Sequence, residues 1–148
     1  MSWAKLLRDR CVTKLPPSKA ELDNLRSIVA RSLSDAAAAD LSADAQFVMA
    51  YDAARTLSLM IVRAERYRPR SAGGHYNTFI ALEAADPSFA KLSAYFDGCR
   101  IKRNKCEYVS AGGISDTDAQ GLLATAQRFS YRLRGVDKKA PSGSGMTG

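Results

Sequence analysis

One run, Ala43 to Arg66, limits what this chain can fold into. At about 100° per residue, Phe47, Val48, Met49, Tyr51, Ala54, Leu57, Met60, Ile61 and Val62 cover most of a helix's circumference. Asp52, Arg55, Thr56, Arg63 and Arg66 gather into one polar stripe roughly 100° wide. A helix apolar on most sides must be surrounded by other elements, so this segment is expected at the centre of the fold. Ser42 is placed to cap its start and Pro69 to end it. The stripe faces either solvent or a polar cleft.

The flanking segments also read as helices. Trp3 to Cys11 suits a short helical arm. Ser18 and Glu21 form a capping-box pair before a helix with Leu22, Leu25, Val29, Leu33 and Ala36 on one face. Arg68 to Gly74 is a loop by its breakers, followed by a short helix from about Tyr76 to Ala84. Asp86 and Pro87 supply an N-cap and a first-turn proline for a helix reaching about Glu107 or Tyr108. Ser115 caps a last helix with Asp116 and Asp118 in its first turn, Arg132 and Arg134 in its last, and Gly135 just beyond. That helix buries Ala119, Leu122, Leu123, Ala126, Phe129 and Leu133 at helical period. No segment alternates convincingly as a strand. The expected fold class is all-α: an antiparallel up-and-down four-helix bundle with an additional short helix. Residues 1–17 form an N-terminal arm, 18–136 the bundle, and 137–148 a flexible basic, Ser/Gly-rich tail.

With 148 residues, 46% hydrophobic and 25% charged, the chain suits one domain with its own core and no covalent staple. No apolar run approaches the roughly 20 residues of a membrane span. Met1 to Lys14 lacks the apolar stretch of a secretory signal, so a cytoplasmic location and no membrane partner are expected. Cys99 and Cys106, on one helix, would stand about 10 Å apart along its axis, which favours free thiols. His75 is the only histidine, which removes most metal sites and most nucleophile–histidine pairs; no metal and no cofactor are expected. The net charge of +7 is uneven: residues 62–148 carry fourteen basic and eight acidic side chains, residues 1–61 eight and seven. Nucleic acid or a nucleotide would suit this balance, and a solvated basic surface is the bland alternative.

Phe89, Leu92, Phe96, Cys99, Arg103 and Cys106 follow alternating spacings of three and four, the seam of a packed helix. Arg103 therefore stands at an inward position, where a cation needs a carboxylate, a phosphate or backbone carbonyls. Three readings are open: a cation snorkelling near the helix end, a structural salt bridge with Asp52 as a possible partner, and an anion or RNA site. Arg100, Asn104, Glu107 and Tyr108 lie to one side of Arg103, whereas Lys102 and Lys105 point elsewhere, solvated or steering phosphate. The run holding Arg63, Arg66, Tyr67, Arg68, Arg70, Gly73, Gly74 and His75 combines cations, an aromatic ring and flexible backbone. Such elements bind phosphate and stack bases, or form an ordinary exposed connector. No Gly-Lys-Ser/Thr is present, so this is not an NTPase phosphate loop.

Three stretches, AYDAARTLSLMIVRAERYRPRSAGGHYNTFIALE, YFDGCRIKRNKCEY and ISDTDAQGLLATAQRFSYRLR, together resemble the HEPN superfamily, the higher eukaryote and prokaryote nucleotide-binding domain. They are similar to that family's long helix, motif helix and closing helix, and the resemblance covers about Ala50 to Val136. It implies a four-helix bundle, commonly a homodimer with the two motif helices facing. Many members are metal-independent endoribonucleases, often toxins or phage-defence proteins, with an Arg-x(4–6)-His motif and frequently Asn after the Arg. Arg103 and Asn104 match, and Tyr108 stands where the His would fall. An unperturbed tyrosine, with a pKa near 10, is a poor general base at neutral pH. His75 could replace the missing His only if its loop folds onto the motif.

The resemblance thus makes Arg103, Asn104 and Tyr108 the candidate catalytic set. Arg100, Lys102, Lys105, Asp52, Arg55, Arg66 and His75 are candidate RNA or nucleotide contacts. A nucleotidyltransferase-type antitoxin partner is also implied, although the residue such a partner would modify corresponds here to Ser110. The leading expectation is an RNA- or nucleotide-binding protein of toxin–antitoxin or phage-defence type with weak or no nuclease activity. The alternatives are an active ribonuclease using Tyr108 or His75, and a non-enzymatic protein-interaction bundle.

Overall fold

A computed structural model describes the backbone of residues 1–108 and 112–144 and the side chains of residues 1–105 and 112–134. It is all-α in class, with α1 (Trp3–Arg8), α2 (Lys19–Ala36), α3 (Ala43–Ala64), α4 (Gly74–Ala85), α5 (Ala90–Tyr108) and α6 (Asp116–Ser144). Two short strands, β1 (Val12–Lys14) and β2 (Tyr67–Pro69), complete it. No described helix is long and apolar enough to cross a membrane.

The helix expected at the centre is there. α3 packs against α2, α4, α5 and α6, and Phe47, Ala50, Tyr51, Ala54 and Leu57 sit in the main core. Ser42 Oγ accepts the Ala45 N–H at 3.1 Å and closes its first turn. Phe79, Phe96 and Phe129 join the core in a chain of tilted rings 5.8 and 5.9 Å apart, tying α4, α5 and α6 together. The seam on α5 points as its spacing predicts, with Phe96 and Cys99 buried and Leu92 packed against the core. A 3-10 turn, Pro87–Phe89, precedes α5, and Asp86 caps it through the Ser88 N–H at 2.9 Å. On α6, Ala119, Leu122, Leu123, Ala126 and Phe129 are buried, and Leu133 lies at the edge.

Several boundaries differ from the sequence expectation. Val12↔Pro69, Thr13↔Arg68 and Lys14↔Tyr67 pair antiparallel, although no strand is expected. Three residues are too few to show alternation, and the ladder is closed by long-range hydrogen bonds instead: Leu15 N–H to Arg66 O at 3.0 Å and Arg70 N–H to Cys11 O at 2.8 Å. α3 accordingly stops at Ala64 and not at Arg66, because Arg66 turns into the left-handed region at φ 76° and delivers Tyr67 to β1. α1 stops at Arg8 and not at Cys11. Arg10 takes φ 60°, and its N–H and that of Cys11 bond Leu7 O and Leu6 O, closing a Schellman turn. α6 runs past Gly135 to Ser144, through Pro141 and Gly143 as well. The expected tail, 137–148, lies outside the described side chains, as does Cys106; Cys11 and Cys99 are free thiols.

The arm is bound to the body by Arg63, whose residue exposure is 3%. Its Nε and Nη2 donate to the two Glu21 carboxylate oxygens at 2.6 and 2.9 Å. Nη1 donates to Leu15 O and Tyr67 O at 2.6 and 3.0 Å, and Nη2 also to Pro16 O at 3.2 Å. Every guanidinium N–H is therefore used within the fold. Leu6, Val12, Val62 and Ala81 form a second small core beneath the strands, and Trp3 stacks on Tyr67 with ring centroids 4.0 Å apart.

Candidate functional site

Three helices meet around the buried Tyr51 ring. α3 supplies Tyr51, Asp52 and Arg55; the first turn of α4 supplies His75 and Tyr76; α5 supplies Asp97, Arg100 and Arg103. The Tyr51 hydroxyl lies 2.8 Å from His75 Nδ1. The Arg103 guanidinium sits over the Tyr51 ring, 5.3 Å from its centroid, and that of Arg100 over Tyr76 at 5.7 Å. Arg100 Nε donates to Asp97 Oδ1 at 2.6 Å. Arg55 Nε is buried and has no hydrogen-bond partner among the described residues.

The glycine pair before His75 explains how the loop reaches Tyr51. Gly74 takes φ 58°, a conformation that side chains disfavour. A Cβ on Gly73 would fall 2.1 Å from Asn77 Nδ2, so the backbone there packs directly on Asn77. Asn77 is buried, and its Nδ2 donates to Arg70 O at 2.9 Å, fixing the loop from inside. The loop thus sets His75 against Tyr51, the ring that the Arg103 guanidinium covers.

Burial, then the charges of Arg55, Arg103 and Arg100, push the His75 imidazole down from 6.5 to about 4, so it is neutral at pH 7. Burial also raises the Tyr51 phenol above its ordinary value, against the pull of the same three cations, so Tyr51 keeps its proton. A buried hydroxyl must place that proton, and His75 Nδ1 is its hydrogen-bond partner among the described residues. A hydroxyl that donates to Nδ1 puts the imidazole hydrogen on Nε2; the opposite tautomer has Nδ1–H donate to the hydroxyl. Three guanidinium groups thus stand near enough to act on the Tyr51 and His75 rings, with Asp52 nearby and Asp97 paired to Arg100. Such a set suits an anion with several acceptor oxygens, above all a phosphate.

The other candidates separate. Asn104 and Lys105 are exposed on α5, and Lys102 Nζ pairs with Asp118 Oδ2 at 3.2 Å, on the α6 side. Arg66 lies in the turn between α3 and β2 and lines a different cavity with Lys14, Leu15 and Tyr67. The side chain of Tyr108 and all of Ser110 lie outside the described residues. Arg63, placed by its sequence in a phosphate-binding run, is instead consumed by Glu21 and three carbonyls. Tyr51 is absent from the sequence candidates because an aromatic on an apolar helix reads as core. Its hydroxyl, one residue before Asp52 and four before Arg55, was the available sign. Cys99 is unreactive by burial, which pushes its thiol up to about 11. Among the described residues, no three His, Cys, Asp or Glu side chains are grouped to hold a metal ion. No family model matches this chain, and no curated protein or solved structure matches it either.

Proposed function

We propose that this protein binds RNA or a nucleotide by its phosphate at the Tyr51–His75 pair, with Arg55, Arg100 and Arg103 as the cations. In this reading α2, α3, α5 and α6 are the four helices of a HEPN-like bundle, α4 is the additional short helix, and two copies associate through α5 as the resemblance implies. The carrying observation is His75, hydrogen-bonded to Tyr51 beside the Arg103 guanidinium. A neutral N–H and several guanidinium groups bind phosphate without adding a histidine charge that burial would oppose.

The same hydrogen bond, with Tyr51 as its donor, supports weak or no cleavage. With the hydrogen on Nε2, His75 has no free lone pair to take a proton from a 2′-hydroxyl. A second reading, metal-independent cleavage, is favoured by the position of His75 among the arginines. It requires the other tautomer, in which Nδ1–H donates to Tyr51 and Nε2 is free as a base.

The test is binding of a labelled single-stranded RNA at two salt concentrations, with metal-free incubation of the same RNA. Arg103→Ala is expected to weaken binding at least tenfold and to flatten its salt dependence. Fragments lost in both Arg103→Ala and His75→Ala would establish the cleaving reading. Unchanged RNA binding in Arg103→Ala, with a lower melting temperature, would make Arg103 a structural brace and overturn the site. Light scattering at micromolar concentration checks the dimer.

A further inference from the structure

We propose that a second cavity, walled by His75, holds the nucleotide next to the bound phosphate, so that the preferred ligand is a single-stranded oligonucleotide and not a mononucleotide. On the reading of the arginine cluster as a phosphate site, His75 is shared between the two: it bonds Tyr51 and also lines a cavity of about 550 Å³. That volume lies within the range of small-molecule sites, roughly 300–1,000 Å³.

The cavity has the walls that a nucleotide needs. Leu59, Pro69 and Thr78 offer a surface for a base or ribose, and Arg68, Arg70 and Ser71 form a polar, cationic side. Arg63 also lines it, but its charge is matched by Glu21 across a two-point pair. The net positive charge therefore comes from Arg68 and Arg70, both exposed.

These two cations stand on fixed backbone. Arg68 lies in the strand ladder opposite Thr13. Arg70 is held at both peptide groups, its N–H on Cys11 O at 2.8 Å and its carbonyl on Asn77 Nδ2 at 2.9 Å. A side chain on immobile backbone loses less freedom when it binds. A flanking phosphate on Arg68 and Arg70 would set the adjoining base toward the cavity, and only an unstacked strand can present a base in that way.

The experiment compares a uridine monophosphate with a single-stranded uridine tetranucleotide on the full chain. In Arg68→Ala/Arg70→Ala, tetranucleotide affinity is expected to fall tenfold or more while monophosphate affinity is unchanged. The salt slope for the tetranucleotide should drop by about 0.7, corresponding to one lost phosphate contact on a single strand. Ser71→Trp, which fills the cavity without removing a charge, should weaken the tetranucleotide selectively as well. If neither variant affects the tetranucleotide while Arg103→Ala abolishes binding, the phosphate site stands and the cavity proposal falls. If none of the three variants alters binding, both fall. Equal losses for both ligands in the double variant would also overturn the proposal, because Arg68 and Arg70 would then act only as a diffuse field.

Discussion

The Tyr51 hydroxyl and His75 Nδ1 stand 2.8 Å apart, joining the buried middle of the central helix to the first turn of α4. That bond anchors the ring of the protein's single histidine, while burial and the charges of Arg55, Arg103 and Arg100 keep the ring neutral.

His75 should therefore titrate far below an ordinary histidine. Its folded value, about 4, lies under the usual 6.5, so the unfolded chain binds the extra proton between those values. Its contribution to stability is complete above pH 6.5 and is lost as pH falls toward 4. With allowance for solvent at the part-open ring, the loss is expected to be about 1–2 kcal/mol. Urea unfolding at pH 7.5 and 4.5 should show this difference, and His75→Gln should remove it. Nitrogen NMR at pH 7 is expected to show the neutral ring with its hydrogen on Nε2; an imidazolium, or hydrogen on Nδ1, would contradict the assignment.

Arg63→Ala should cost about 3–5 kcal/mol, because it strands a part-buried carboxylate and three carbonyls at once. Arg63→Lys should restore little, since a single ammonium cannot reproduce the fork to Glu21. Denaturant midpoints measure both. A loss under 1 kcal/mol for Arg63→Ala would show that the arm is held mainly by the Trp3–Tyr67 stack and the apolar contacts below it.

Two backbone substitutions should act in opposite directions. Arg66→Gly relieves a left-handed residue at φ 76° and is expected to stabilise by about 0.5–1 kcal/mol, the strain exceeding the added freedom of the unfolded chain. Gly73→Ala drives a Cβ into Asn77 and should destabilise by about 1–3 kcal/mol. It should also loosen the loop that delivers His75, raising the histidine's titration midpoint toward 6.5. An unchanged midpoint in a folded Gly73→Ala protein would separate the loop from the site.

Local chemistry alone determined most of the helical architecture. Ser18, Ser42 and Ser115 cap helices because a side-chain oxygen satisfies amides within the same turn. The apolar faces of α3, α5 and α6 point inward because a helix's period sets its faces without reference to partners. Tertiary structure alone decided the roles of the cations. Arg55, Arg63 and Arg66 share one stripe on a helical projection. One is buried against Glu21, one reaches the Tyr51–His75 cluster, and one turns the chain into a strand. That division depends on what the arm, the α4 loop and α5 bring to each level of α3. β1 and β2 likewise lack any periodic signature, since a three-residue strand is held by a partner far away in sequence. The same holds for His75: the chain supplies two glycines and an asparagine, and only their packing brings the ring to Tyr51.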